Sequence, residues 1–222
     1  MRISVGPSVH TRLRNSKSNI TGYLATRSGE SLPFSSQLER DWAIVLDFDD
    51  SFTRPRWQPF SLYREDSEGS RRYTPDYSVD LLNPRGWIKG VIYEVKPHER
   101  LKRKWEEYAP MFKATINHCR SNGLLFSIVT EQRIYTPYFQ NAYFLRDYRD
   151  YPDPELISDK LIYYIRLLGE TTAQELLEAS FTTPKLRNEA LPIVYKLVAN
   201  RQFEANLLGP FTYHSPIWLK GA

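Results

Sequence analysis

Hydrophobic and polar positions change period several times along the chain, and each change predicts an element. Leu38, Trp42, Val45 and Leu46 recur at i, i+4, i+7 and i+8, which predicts an amphipathic helix. Ser36 stands just ahead, with Glu39 three positions on, the spacing of a capping box. Pro55 and Pro59 interrupt the next stretch, and Phe60-Ser61-Leu62-Tyr63 predicts a short edge strand. Residues 71–82 predict a strand, Asn83-Pro84-Arg85-Gly86 a turn, and residues 90–96 a second strand, so the two should pair as a hairpin. After Pro97, Leu101, Trp105, Tyr108, Phe112, Ile116 and Cys119 fall three or four apart. That spacing predicts a long amphipathic helix, kinked or split at Pro110. Asn122-Gly123 ends it, and residues 124–129 form an unbroken apolar run typical of a buried strand.

Composition shifts at Tyr151-Pro152-Asp153-Pro154, a linker signal. Beyond it, helices are predicted over 156–168, from Thr172 through Leu177, and over 184–198. A hairpin-like tail follows, 203–208 and 211–219 about Gly209-Pro210. Three parts are therefore expected: an arm (1–34), a mixed α/β domain (35–150), and a small winged-helix-like α+β domain (151–222).

Charge adds one feature to this outline. The 222 residues carry 30 Lys and Arg against 26 Asp and Glu, a net +4. Residues 1–35 alone hold five basic side chains (Arg2, Arg12, Arg14, Lys17, Arg27) and one acid (Glu30), which accounts for the whole excess. Arg12, Arg14 and Lys17 could track DNA phosphates by releasing counterions, and a solvated terminus is the alternative. The balanced remainder argues against nonspecific coating of DNA. One cysteine excludes an intramolecular disulfide framework and any multi-cysteine zinc site. With no long apolar run and no secretion signal, a soluble intracellular protein making no membrane contact is expected.

The candidate chemistry lies in Tyr73-Thr74-Pro75-Asp76 followed by Glu94-Val95-Lys96. Side chains alternate along a strand, so Glu94 and Lys96 share a face that Val95 does not. If the strand carrying Asp76 pairs alongside, two carboxylates and an ammonium converge. Hard oxygens of this kind suit Mg²⁺, which commonly takes one or two carboxylates and completes its shell with water and phosphate oxygens. Such a cation can polarise a phosphate and acidify a bound water, and Lys96 could orient that water or neutralise growing charge. The chemistry indicated is phosphodiester hydrolysis. The bland alternative is a Glu–Lys pair on a solvent-facing strand.

Pro75-Asp76 with Glu94-Val95-Lys96 resembles the PD-(D/E)xK motif of the restriction-endonuclease fold. The wider series is similar to TnsA, the endonuclease subunit of cut-and-paste transposons. It runs from Ser36-Gln37-Leu38-Glu39-Arg40-Asp41 through Gln58-Pro59 and Tyr73-Thr74-Pro75-Asp76 to Glu94-Val95-Lys96-Pro97 and Ile128-Val129-Thr130-Glu131. The resemblance implies a restriction-endonuclease-like mixed sheet flanked by helices. It implies Asp76, Glu94 and the Val95 carbonyl as ligands of Mg²⁺, with Mn²⁺ able to substitute, and Lys96 as the catalytic lysine. Glu39 becomes a further acidic active-site residue and metal ligand. Its capping position gives it a competing role, since a carboxylate folded onto its own helix would not reach a metal. The implied reaction is cutting of the 5′, non-transferred strands of double-stranded DNA at transposon ends. The implied partners are a TnsB-like transposase and a TnsC-like AAA+ ATPase. Length and a compact C-terminal half sit closer to the CRISPR-associated branch. An inactive nuclease-fold adaptor and a stand-alone restriction-type nuclease are the alternatives.

Other segments add less. Arg100, Lys102, Arg103 and Lys104 form a basic run beside the proposed site, suited to a DNA backbone or simply to solvent. Asp47-Phe48-Asp49-Asp50 resembles the nucleophile motif of haloacid-dehalogenase-type phosphatases. The helical spacing from Leu38 runs straight into it and favours an acidic helix end. No phosphate-binding glycine loop is present. Near-neutral charge in residues 151–222 favours protein contact there, with Ile217-Trp218-Leu219 as a docking edge or as core.

Overall fold

Ser36 caps the first helix in the computed structural model. Its Oγ accepts the Glu39 N–H at 3.2 Å, and the helix runs over Gln37–Phe48 (α1). The structure describes residues 2–7, 20–53, 55–66, 69–153 and 156–221. Arg12, Arg14 and Lys17 lie outside the described residues. The chain divides into two units, Met1–Ile134 and Tyr135–Ala222.

In the first unit, Arg2–Pro7 (β1), Gly22–Ala25 (β2) and Ser31–Phe34 (β3) precede α1. Arg56–Trp57 (β4), Phe60–Asp66 (β5), Gly69–Tyr73 (β6), Tyr77–Arg85 (β7) and Ile88–Val95 (β8) follow it. His98–Arg103 (α2), Trp105–Ser121 (α3), Leu124–Val129 (β9) and Glu131–Ile134 (α4) complete the unit. The central sheet has the order β4-β7-β8-β9, with β8 antiparallel to β7 and parallel to β9. The β7–β8 hairpin is present, but the strand expected over 71–82 is two strands, β6 and β7, and the turn lies at Gly86-Trp87 because Asn83, Pro84 and Arg85 extend β7. Trp42 of α1 packs edge-on against Tyr93 at 5.1 Å between ring centroids. Phe112 of α3 packs on Phe126 at 5.5 Å, and Phe126 pairs with Ile92, one position from Tyr93. Successive strand residues face opposite ways, so α1 and α3 cover opposite faces of a mixed sheet.

Four local expectations change. The segment starting at Phe60 is a central strand, not an edge: β5 lies between β1 and β6. Its partner β1 comes from the basic arm, with pairs running from Arg2↔Glu65 to Pro7↔Phe60. The arm is also not separate from the domain. Leu24, Leu32 and Phe34 are buried, and the Tyr77 hydroxyl donates to the Pro33 carbonyl at 2.9 Å. The long helix breaks at Lys104 and not at Pro110, which sits within α3. Proline inside a helix forfeits one bond and crowds the carbonyl four residues back, yet α3 continues through Pro110 to Ser121. Finally, β9 is an edge strand, with Leu125 exposed and Val129 buried. An apolar run alone does not say how many neighbours a strand has.

Asn122 and Gly123 end α3, Gly123 taking φ = 71°, a conformation that costs other residues more. Cys119 of α3 is fully buried, and burial pushes its thiol up to about 11. At pH 8 only about one thiol in a thousand is then ionised, before access is considered. Native protein should therefore resist iodoacetamide and label fully in 6 M urea, read by intact mass; equal labelling in both would contradict the burial.

The second unit holds Pro137–Leu145 (α5), Ile157–Leu168 (α6), Thr171–Thr172 (β10), Ala173–Ser180 (α7), Pro184–Ala199 (α8), Phe203–Ala205 (β11) and Pro216–Leu219 (β12). Thr172 and Glu175 form a full capping box on α7, and Thr183 caps α8. The three predicted helices are present. The unit begins at Tyr135, ahead of the linker signal at Tyr151, because α5 packs against α8. A strand the sequence reading did not include, β10, joins the sheet in the order β10-β12-β11. Ile217 and Trp218 therefore lie on the central strand rather than a docking edge. Ile217 is fully buried and the Trp218 indole N–H donates to Glu204 at 2.9 Å.

Candidate active site

Pro75 has no N–H and favours an extended residue before it, so the chain leaves the β6 ladder at Tyr73 and enters β7 at Tyr77. Asp76 sits at this crossing, fixed from both sides by its main chain. Its N–H donates to the Tyr93 carbonyl at 3.0 Å, and its carbonyl accepts the Gln58 N–H at 2.9 Å. Its carboxylate Oδ2 accepts the Val95 N–H at 2.7 Å. Strand pairing thus brings Asp76 beside the end of β8, as the motif requires.

Glu94 is buried, and both its oxygens are engaged. The Tyr73 hydroxyl donates to Oε2 at 2.6 Å, and Lys96 Nζ lies 2.5 Å from Oε1. Lys96 Nζ also donates to the Val95 carbonyl at 3.2 Å and lies 3.6 Å from Asp76 Oδ2. The ammonium therefore rests among the three groups that the sequence nominates as cation ligands.

The electrostatics follow from this crowding. Burial, then the neighbouring Asp76 carboxylate, pushes the Glu94 carboxyl up to about 7, against the pull of Lys96 and Tyr73. Burial alone would lower Lys96, but Asp76 and Glu94 outweigh it and hold the ammonium well above its ordinary range. Burial, followed by the charge of Glu94, raises the Tyr73 hydroxyl well above its usual value, so Tyr73 acts as a donor.

Glu39 is both cap and neighbour. Its carboxylate accepts the Ser35 N–H at 2.9 Å and bonds to the hydroxyls of Ser35 and Ser36. Its carboxyl is raised by burial and next by Asp76, so Glu39 folds back onto the helix start yet still feels that carboxylate.

Among the described residues no three of His, Cys, Asp and Glu gather into a ready-made metal cage. Two carboxylates and a carbonyl nonetheless suit Mg²⁺, which leaves much of its shell to water and phosphate. A positive group already sits on those oxygens in the form of Lys96, so the donor set fits a cation.

The basic run lies directly after this cluster. Lys102 and Arg103 are exposed on α2, Arg100 Nε donates to the Tyr108 hydroxyl at 3.0 Å, and Lys104 pairs with Glu107 at 2.9 Å. The phosphatase-like acids serve the end of α1. Asp47 accepts the Arg27 N–H at 2.8 Å, Asp49 accepts from Ser51, and Asp50 pairs with Arg27. Tyr73 is a site residue to which the motif assigns no role. Its signal was a hydroxyl-bearing aromatic three residues before Asp76, and only the pairing of β7 with β8 shows that it meets Glu94.

No curated protein matches this chain. Residues 49–131 match the family profile described as TnsA-like endonuclease N terminal, a span that includes Asp76, Glu94 and Lys96 and begins after Glu39. Over these residues the chain is similar to the N-terminal domain of TnsA-like endonucleases.

Proposed function

We propose that this protein is a Mg²⁺-dependent DNA endonuclease that cuts the 5′, non-transferred strands at transposon ends. The observation that carries the reading is the meeting of Asp76, Glu94 and Lys96 within a TnsA-like endonuclease domain. Asp76, Glu94 and the Val95 carbonyl would hold Mg²⁺ or Mn²⁺, with Glu39 as the nearby third acid. The metal would polarise the scissile phosphate and acidify water. Tyr73 holds Glu94 in orientation through its 2.6 Å bond. Lys96, once released from the carboxylates, would orient the attacking water or meet charge growing on the phosphate.

The second unit supports a winged-helix-like reading: three helices, α6 to α8, packed with a three-stranded sheet. Its balanced charge, seven basic against eight acidic side chains from residue 151 onward, suits a protein partner better than a DNA groove. A TnsC-like AAA+ ATPase is the partner proposed for it, with a TnsB-like transposase cutting the 3′ ends. The CRISPR-associated branch is proposed on the compactness of this unit. No helix among the described residues is long and apolar enough to cross a membrane.

Strand-resolved cleavage of a labelled transposon-end duplex tests the reading, with Mg²⁺ or Mn²⁺ and with or without the two partners. Adding this protein should add cuts on the 5′ strands to any 3′ cuts that the transposase makes. Retained DNA-end binding with no 5′-strand cutting under any combination would leave the adaptor reading in its place.

Acid should weaken the site. Glu94 must be ionised to hold a cation, so Mn²⁺ affinity should fall as pH drops below about 7. Tyr73→Phe removes a bond that favours the ionised carboxylate and should move the fall upward by about one pH unit. Titration of Mn²⁺ binding by electron paramagnetic resonance reads both, and an unshifted midpoint in the variant would exclude this role for Tyr73.

A further inference from the structure

The β5–β6 ribbon and α3 enclose a cleft of about 140 Å³ lined by Arg64, Arg71, Arg72, Tyr73, Tyr108 and Glu107, among others. Arg64 and Arg71 are directly paired across the ribbon, so their side chains leave on the same face. Tyr73, two residues beyond Arg71, shares that face and reaches Glu94 with its hydroxyl. The cleft therefore abuts the catalytic cluster through one shared side chain. On its other wall, the Tyr108 hydroxyl accepts from Arg100, the first member of the basic run on α2. Glu107 is the acid of this lining, and it is already held by Lys104, with its carboxyl lowered by that lysine first and then by Arg71 and Arg100. Glu65 next to Arg64 leaves from the opposite face of the strand. Basic side chains thus line the way from α2 across the cleft to within one residue of Glu94.

We propose that this cleft binds a non-scissile backbone phosphate of the DNA being cut, with Arg64 and Arg71 as its principal contacts. Guanidinium groups present planar forks that match phosphate oxygens, and two on one face can grip a single phosphate without reading a base. Such a contact sets the register of the strand, which places the next phosphodiester at Asp76, Glu94 and Lys96. The inference rests on the nuclease reading of that neighbouring site, and its test is independent of cutting.

The experiment measures binding of the full chain to a labelled transposon-end duplex by fluorescence anisotropy, in EDTA, over a series of salt concentrations. Arg64→Ala/Arg71→Ala should bind about tenfold or more weakly. Its plot of log affinity against log salt should be shallower by about one, because the one lost phosphate contact removes about 0.9 from the slope. Arg64→Lys/Arg71→Lys keeps the charge and should retain the wild-type slope with an intermediate affinity. A duplex with neutral methylphosphonates beside the cleavage position should weaken wild type and leave the double alanine variant unchanged. Thermal melting confirms that each variant is folded. Unchanged affinity, or weaker binding with an unchanged slope in the alanine variant, overturns the proposal. Failure of wild type to cut 5′ strands under every combination of metal and partners would instead overturn the nuclease reading and leave the binding result standing.

Discussion

Asp76→Ala and Lys96→Ala should each reduce 5′-strand cutting by about a thousandfold or more, yet for different reasons. Removing one group that stabilises developing charge in a preorganised site commonly costs two to three orders of magnitude, and loss of a metal ligand adds to that. Asp76→Ala takes away a carboxylate and leaves the buried Val95 N–H without its 2.7 Å acceptor, a loss of about 1–3 kcal/mol. It also relieves repulsion on Glu94 and Glu39, so the fold should survive. Lys96→Ala vacates the position among Glu94, Asp76 and the Val95 carbonyl. Calorimetric titration with Mn²⁺ separates the two. Affinity should fall steeply in Asp76→Ala and be kept or improved in Lys96→Ala, where no ammonium competes for the oxygens. Cutting at the wild-type rate by either variant, or Mn²⁺ binding indifferent to Asp76→Ala, would remove the active-site assignment.

Gly90→Ala should be the most damaging single substitution in the central sheet. Gly90 pairs with Asp80 on one side and Leu124 on the other, so β8 has neighbours on both edges at this point. A Cβ there would stand 2.4 Å from the Val79 carbonyl oxygen, a main-chain atom that cannot rotate away, and 3.2 Å from Asp80 and Leu124 side-chain atoms. The strands would have to part, at a cost of about 3 kcal/mol or more. For a chain of this size that lowers the melting temperature by about 6–12 °C. Gly209→Ala, where an added Cβ meets nothing within 4 Å, is the control and should melt with wild type. Coincident melting curves for Gly90→Ala and Gly209→Ala would show that β7 and β8 do not approach this closely. The close approach matters for function because β8 carries Glu94 at its end.

Local signals in the sequence were sufficient wherever a few neighbouring residues decide the outcome. The Ser36–Glu39 spacing specified the start of α1 and Asn122-Gly123 the end of α3, whereas of the expected turn Asn83-Pro84-Arg85-Gly86 only Gly86 lies in the β7–β8 turn. Lateral order was not accessible in the same way. The role of β5 depended on β1, more than fifty residues earlier, and that of Ile217 on β10, a strand of two residues. Pairing partners at that distance leave no periodicity within either segment.

The candidate site divides along the same line. Sequence by itself determined which side chains can do the chemistry: Asp76, Glu94 and Lys96 are named by motif, and strand alternation puts the last two on one face. Tertiary structure alone decided how they meet. It placed the Lys96 ammonium on the oxygens of both acids, gave Glu94 its bond from Tyr73, and left Glu39 a helix cap that still feels Asp76. It also set Arg64 and Arg71 side by side next to that cluster. The physical reason is that motif spacing constrains neighbours along one strand. Distances between strands, and the burial that shifts each charge, exist only once the sheet has closed.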